Sequence, residues 1–191
     1  VEALKWKRVT RSLQKLSFSE SFKSVLAGLA VGFFVPNRVG EFAGKSLMLD
    51  KSKFWKASVL AFYTSFAQLF TTAFWGMLSL VFFSELISGL IPLNIHFLSI
   101  AVFIVIILLL LMVYFQLNRL SQSFRRFKKI YTQIIVLDDL KLSDKFYVLG
   151  MSFIRFFVFT FQYIILLYLL GISLPLIDAF LVISMLYLVL M

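Results

Sequence analysis

Residues 102–115 read VFIVIILLLLMVYF, an unbroken apolar run inside the longer stretch 97–116. A helix needs about 20 predominantly apolar residues to cross the hydrocarbon core of a bilayer, so this stretch predicts a membrane span. Other parts of the chain have a similar composition. The predicted spans are residues 56–83, 97–116, 145–170 and 174–191.

The overall composition supports a membrane protein. Of the 191 residues, 61% are hydrophobic and only 15% are charged, and the mean hydropathy is +0.97. A soluble domain has about a quarter charged residues and less than half apolar ones, which excludes a soluble globule, a disordered chain and a fibrous repeat. The predicted fold class is all-α: a polytopic membrane helix bundle, one membrane domain over residues 1–191 that is a fragment of a longer chain.

The same composition removes several kinds of chemistry. The chain contains no Cys, which excludes disulfides, thiolate catalysis and cysteine metal sites. His96 is the single histidine and cannot form a histidine metal site alone. We therefore expect no metal and no cofactor.

Lys and Arg predict which loops face the cytoplasm, because these residues are enriched on that side of a membrane. Residues 119–145 hold seven of the 19, whereas residues 84–96 and 171–175 hold none. Residues 119–145 are therefore predicted to be a cytoplasmic amphipathic loop, and residues 1–18 a cytoplasmic juxtamembrane stretch. The net charge of +10 is accounted for by such loops, so no nucleic-acid partner is expected.

The apolar stretch 22–35 has only 14 residues, too few to span comfortably, and both of its flanks are basic. We therefore predict that residues 19–50 form a re-entrant helical hairpin; the alternative is a tilted full span with a basic outer loop. Pro36 would end the first helix. The small-residue spacings that let two helices approach closely involve Gly28, Gly32, Gly40 and Gly44.

The hairpin also carries charged candidates for binding. Arg38, Glu41 and Lys45 follow one another at i, i+3 and i+7, one face of a helix. Basic residues at a helix N-terminus attract anions, and the favoured anion here is a phosphate. The alternative is that Glu41 pairs with Arg38 or Lys45 and only stabilises the hairpin.

A second basic candidate lies inside a predicted span. Arg155 is ten residues after Lys145, about 15 Å along a helix, which places it near the middle of the bilayer. A charge at that depth needs a partner or water. We expect Arg155 to approach Glu41, and Gln162 lies on the same helical face as Arg155.

Four stretches, which together extend over nearly the whole chain, resemble the transmembrane region of the lysylphosphatidylglycerol synthase family, also called flippase-like membrane proteins. They are LSFSESF at residues 16–22, LAGLAVGFFVPNRVGEFAGKSLML at residues 26–49, SFAQL at residues 65–69 and SFIRFFVFTFQYIILLYLLG at residues 152–171. In full synthases this region is implicated in moving an aminoacylated phospholipid, which a separate soluble domain makes. The resemblance implies that the partner is a phospholipid or a lipid-linked molecule and that the protein lies in a prokaryotic cytoplasmic (inner) membrane. It is compatible with an oligomer.

The expected function is to bind or translocate (flip) a phospholipid or lipid-linked amphiphile at a basic intramembrane site. The candidate headgroup-binding residues are Arg38, Glu41, Lys45, Arg155 and Gln162. The alternatives are a membrane-embedded transferase acting on a lipid carrier and a structural subunit of a membrane complex. An enzyme is disfavoured, because the chain has no soluble transferase domain and its outer acids, Glu85 and Asp178, are far apart in sequence.

The charge pattern generates a topological prediction. Residues 1–15, 36–56 and 119–145 should share the cytoplasmic side, with residues 84–96 and 171–175 opposite them. Single cysteines at Asn37 and Lys51 should resist a membrane-impermeant thiol reagent applied from outside, whereas one at Glu85 should react. Strong labelling of Asn37 or Lys51 from outside would refute the re-entrant hairpin.

Overall fold

The computed structural model describes residues 1–35, 39–86, 93–117 and 128–190, and within these ranges all regular structure is helical, without a strand. The predicted all-α class is confirmed. The α-helices are α1 (Glu2–Val9), α2 (Phe18–Phe34), α3 (Val39–Ser46), α4 (Phe54–Leu86), α5 (Leu93–Gln116), α6 (Lys128–Ile134), α7 (Leu142–Leu169) and α8 (Leu176–Val189). Short 3₁₀ turns occupy Thr10–Ser12, Lys51–Lys53 and Ile135–Leu137.

Two helical stretches are long and apolar enough to cross a membrane. They are Lys51–Phe82, which contains most of α4, and Leu142–Leu169, which is α7. The apolar parts of α5 and α8, Ile100–Gln116 and Leu176–Val189, are shorter. All four predicted spans therefore form helices, and in the part of the chain that the structure describes two of them are both long and apolar enough to cross a membrane.

The chain divides into two compact units, the first being Val1–Ala67 with Tyr114–Ser152 and the second Gln68–Val113 with Phe153–Met191. Both units take residues from α4, α5 and α7. The prediction of a single membrane domain stays a prediction.

The first unit has its core around α1, in the stretch predicted to be juxtamembrane. One face of this helix is buried: Trp6 and Val9 are at most 1% exposed and pack with Leu60 and Tyr63 of α4. The end of the predicted amphipathic loop joins the same core through Val136 and Leu137. The first part of that loop, residues 119–127, lies outside the described residues.

A reciprocal pair of hydrogen bonds joins α5 to α7 in the first unit. The Tyr114 hydroxyl donates to the carbonyl oxygen of Lys145 at 2.7 Å, and the Lys145 ammonium donates to the carbonyl oxygen of Phe115 at 2.9 Å. Both side chains are buried. Lys145 therefore links α5 to α7 by hydrogen bonds and lies within α7, not at the end of a loop.

Helix α2 begins at a capping box. The Ser17 hydroxyl accepts the Glu20 backbone N–H at 3.2 Å, and the Glu20 carboxylate accepts the Ser17 backbone N–H at 2.7 Å. This reciprocal arrangement satisfies helix-terminal donors. The hydrogen bond that the Ser17 backbone N–H donates to the Glu20 carboxylate, and secondly the nearby Ser17 side chain, hold the pKa of Glu20 below its usual value.

Helices α2 and α3 pack against each other along their glycines. A Cβ atom at Gly44 would lie 2.6 Å from the carbonyl oxygen of Ala27 and 2.7 Å from the Cα of Gly28, and one at Gly40 would lie 2.6 Å from the carbonyl oxygen of Val31. The predicted close approach is therefore present at Gly40 and Gly44. A Cβ atom at Gly32 would lie 3.4 Å from its nearest neighbours, an ordinary contact distance, so the packing does not require glycine at this position. Pro36 lies outside the described residues.

The second unit is rich in aromatic contacts. Trp75 of α4 lies within 6.5 Å, between ring centroids, of Phe153, Phe156 and Phe157 of α7 and of Phe180 of α8. Gly76 lets α4 approach α8, because a Cβ there would be 2.5 Å from the Cβ of Leu188.

The glycine contacts give a prediction about stability. Gly44→Ala and Gly40→Ala should each lower the free energy of unfolding by about 1–3 kcal/mol, because the added methyl meets backbone atoms that can move only if the helices separate. Thermal unfolding in detergent measures the change.

Gly32→Ala and Gly150→Ala are the matched controls. Both residues are helical, and no atom lies within 4 Å of a Cβ built at Gly150. These variants should be neutral or more stable by up to about 1 kcal/mol, because alanine has the higher helix propensity. Equal losses in all four variants would show that the glycine contacts do not hold α2 to α3.

Candidate functional site

Four charged side chains from α1 and α3 form a connected network in the first unit. The Glu2 carboxylate lies 2.8 Å from the Lys5 ammonium and 3.5 Å from the Lys45 ammonium. The Glu41 carboxylate lies 2.7 Å from the same Lys45 ammonium. Two carboxylates thus face two ammonium groups, and the four formal charges sum to zero.

Burial makes this network costly to disturb. Lys5 and Lys45 are each 1% exposed, whereas the side chains of Glu2 and Glu41 are 18% exposed. An ion removed from water costs several kcal/mol unless a partner compensates it. Each ammonium group therefore needs its carboxylates, and the partly exposed acids are the side of the network that other molecules can reach.

The local structure explains how each charge arrives there. Glu2 and Lys5 are separated by three residues on α1, and Glu41 and Lys45 by four on α3, so each pair lies on one face of its helix. Gly28 provides the space for Lys45, because a Cβ at Gly28 would be 2.7 Å from the Cγ of Lys45. The same glycine contact that lets α2 pack against α3 therefore also makes room for the Lys45 side chain.

Lys5 also ties the network to the two long helices. Its ammonium donates to the Ser152 hydroxyl of α7 at 3.0 Å and lies 3.5 Å from the carbonyl oxygen of Thr64 in α4. The Ser152 hydroxyl itself donates to the carbonyl oxygen of Val148 at 2.9 Å. Helix α3 has its own link to α4, since the hydroxyls of Ser46 and Ser58 lie 3.0 Å apart.

The predicted site residues fall into three groups. Glu41 and Lys45 come together in the network, as the structural alternative for Glu41 anticipates. Arg38 lies outside the described residues. In the second unit, the guanidinium of Arg155 lies 5.3 Å from the centroid of the Phe159 ring, and Gln162 is exposed on α7. The approach of Arg155 to Glu41 stays a prediction.

The sequence interpretation missed Glu2 and Lys5. Both lie in a stretch whose five basic residues suggested a solvated surface. The available signal was local: Glu2 is the one acid among these bases and precedes Lys5 by three residues, and Lys5 is followed by the large apolar Trp6. This spacing is typical of a helical ion pair beside a packed face.

Within residues 1–35, 39–86, 93–117 and 128–190, no three acidic or histidine side chains are grouped so that they could hold a metal ion. Comparison of the chain with protein-family models, with curated proteins and with solved structures finds no match.

The network gives a prediction about charge removal. Glu2→Gln should lower the free energy of unfolding by about 3–5 kcal/mol, because it leaves two buried ammonium groups short of a partner. Glu41→Gln should cost less, since Lys45 keeps Glu2. The double variant Glu41→Gln/Lys45→Gln should cost less than the sum of its single changes.

The exposed pair Asp50–Lys53, 2.6 Å apart with side chains 58% and 32% exposed, is the control. Asp50→Asn should change stability by less than about 1 kcal/mol. Thermal unfolding in detergent compares the variants. If Glu2→Gln were as mild as Asp50→Asn, the network would not be a stabilising feature.

Proposed function

We propose that this protein is an integral membrane protein that handles lipids, binding a phospholipid or lipid-linked amphiphile by its headgroup and moving it across the bilayer. The observation that supports the proposal is the buried, charge-neutral network of Glu2, Lys5, Glu41 and Lys45. In an otherwise apolar chain, a buried polar site has a cost, and intramembrane ionisable groups are functional candidates by default.

The depth of the network follows from helix geometry. Thr64 is ten residues after Phe54 at the start of α4, and Ser152 is ten residues after Leu142 at the start of α7. Ten residues of α-helix rise about 15 Å, half the hydrocarbon thickness of a bilayer. The predicted spans begin two or three residues after these helix starts, at residues 56 and 145. If α4 and α7 cross the membrane, the Lys5 ammonium that contacts both residues therefore lies within the hydrocarbon region, about 10 Å or more from its edge.

The chemistry of the network suits a zwitterionic or anionic headgroup. A phosphate can take the place of Glu41 on the Lys45 ammonium, while a cationic substituent of the headgroup can take the place of Lys45 on Glu41. When both exchanges occur together, opposite charges stay paired, so the site can open on a zwitterionic headgroup without leaving an uncompensated charge in a medium of low dielectric constant. An anionic headgroup that replaces Glu41 on Lys45 leaves this partly exposed carboxylate to water. A neutral network is thus better suited to release a headgroup than a purely basic one.

The finer features of the proposal come from the sequence. Helices α2 and α3 would enter the membrane from the cytoplasmic side as a re-entrant hairpin, with Arg38 at the turn between them. Arg155 and Gln162 on α7 would be further headgroup contacts. The resemblance to flippase-like membrane proteins favours a location in a prokaryotic cytoplasmic membrane.

Translocation can be measured in vesicles that contain the purified protein and a phospholipid with a fluorescent headgroup. A membrane-impermeant reductant bleaches the outer leaflet first, and further loss of fluorescence reports movement from the inner leaflet. The wild-type protein should accelerate this loss over protein-free vesicles. Glu41→Gln and Lys45→Gln should reduce the rate by about tenfold or more, the effect of losing 1.4 kcal/mol or more of headgroup interaction.

Asp50→Asn/Lys53→Gln serves as the control, because it removes an exposed ion pair from the same unit. It should leave the rate unchanged. Thermal unfolding of every variant separates loss of activity from loss of structure. If wild-type vesicles were no faster than protein-free vesicles for zwitterionic and anionic phospholipids, the proposed translocation would be refuted.

A further inference from the structure

A basic groove lies on the first unit, away from the buried network. It has a volume of about 380 Å³ and is lined by Leu4, Lys7, Arg8, Arg11, Lys15, Leu16 and Tyr147. We call it the α1 groove. Its lining contains four cationic residues and no carboxylate, in contrast to the adjoining groove of about 360 Å³, which includes Asp139 and Asp144.

The cations of the α1 groove are available for a ligand. Lys7, Arg11 and Lys15 are exposed, and none of the ion pairs among the described residues uses them. Arg8 is paired with Asp144, but the positive charges of Lys7, Arg11 and Lys15 around one cavity repel each other. An anion between them would remove that repulsion, so the groove is electrostatically suited to bind one.

Arg8 is held in place on the wall of the groove. Its Nε–H donates to the Asp144 carboxylate at 2.6 Å, and its guanidinium lies 5.4 Å from the centroid of the Tyr147 ring. A guanidinium has five N–H donors in a rigid fork that matches phosphate geometry, and the bond to Asp144 uses one of them. Asp144 and Tyr147 thus orient Arg8 without consuming its capacity to bind.

The order of side chains along α1 points to a lipid. Lys5 contacts Ser152, the eleventh residue of α7, whereas Arg8 contacts Asp144 in the first turn of α7. Helix α1 therefore runs toward the start of α7. The exposed apolar Leu4 lies at the deeper end, and Arg11 lies about 10 Å further toward the surface.

We propose that the α1 groove binds the phosphate of an anionic phospholipid in the leaflet where α7 begins, with Leu4 against the start of the acyl chains. Lys7, Arg8 and Arg11 would contact the phosphate and Lys15 the outer part of the headgroup. The inference rests on the proposed function for its membrane setting, but it requires no translocation. The ligand chemistry is a glycerol phosphate ester, and the apolar end of the groove selects the lipid form over a soluble one.

Retention of lipid by the purified protein tests the proposal. The protein in mild detergent is mixed with phosphatidylglycerol or phosphatidylcholine, and native mass spectrometry measures the bound lipid. Lys7→Gln/Arg11→Gln should weaken phosphatidylglycerol binding by about tenfold or more, since it removes two charge-assisted contacts. Phosphatidylcholine binding should fall by a smaller factor, because the choline cation already offsets the charge of its phosphate. The matched control is Lys23→Gln/Lys51→Gln, which removes two exposed positive charges outside the groove and should keep phosphatidylglycerol binding.

Each other outcome has a defined meaning. Equal losses in the groove variant and the control would show non-specific charge attraction and overturn the proposal, as would wild-type retention by the groove variant. Glycerol 3-phosphate should fail to displace phosphatidylglycerol, and Leu4→Ser should weaken the lipid; displacement by the soluble ester would overturn the lipid assignment.

The translocation assay separates this proposal from the function proposed above. Lys7→Gln/Arg11→Gln should still translocate phosphatidylcholine at the wild-type rate, because the network around Lys45 is intact. Loss of phosphatidylcholine translocation in this variant, with its fold preserved, would contradict a separate groove. If the wild-type protein translocates no lipid, the function proposed above fails, and the lipid-retention measurement alone decides whether the α1 groove binds an anionic phospholipid.

Discussion

The shared carboxylate of Glu2 is the constraint on which the first unit depends. It lies 2.8 Å from one buried ammonium and 3.5 Å from another, and these two lysines come from separate helices. Because a buried ammonium without a partner costs several kcal/mol, α1 and α3 must be close enough for one acid to serve both. The rest of the unit accommodates that requirement: Trp6 and Val9 bury the adjacent face of α1 in the core.

The glycines of α2 and α3 are the steric counterpart of this electrostatic requirement. Lys45 can pass α2 only because Gly28 has no side chain, and α3 can come this close only because Gly44 touches Gly28 directly. Backbone contact through small residues stabilises helix pairs in apolar surroundings, where the hydrophobic effect gives no advantage. Packing and charge therefore depend on the same few positions, and a side chain at Gly28 would disturb both.

Periodicity and spacing predicted much of this architecture. Long apolar runs identified α4, α5, α7 and α8, because helices of this kind are defined by local composition. The spacing of the glycines predicted the contact of α2 with α3, because small residues four apart leave one face of a helix open to close approach. Sequence could not predict the burial of Lys5, since its partners Thr64 and Ser152 lie 59 and 147 residues away. Positive charge near a predicted membrane suggested a solvated stretch, and only the tertiary fold decides which face of α1 meets water.

Access to water decides whether the basic residues of α1 and of the segment that follows it need a carboxylate partner. Lys5 points into the core, where it and Lys45 face two carboxylates and the four charges sum to zero. An unpaired charge there would cost free energy, because the dielectric constant is low. Lys7, Arg11 and Lys15 face outward, where water screens an excess of positive charge and no internal partner is required. The N-terminal residues 1–15 therefore contribute a neutral polar network toward the core and a concentrated positive potential toward water. A phospholipid has two matching requirements. Its phosphate is attracted to the positive potential at the water-facing side, and its headgroup can cross an apolar medium only when its charges are paired.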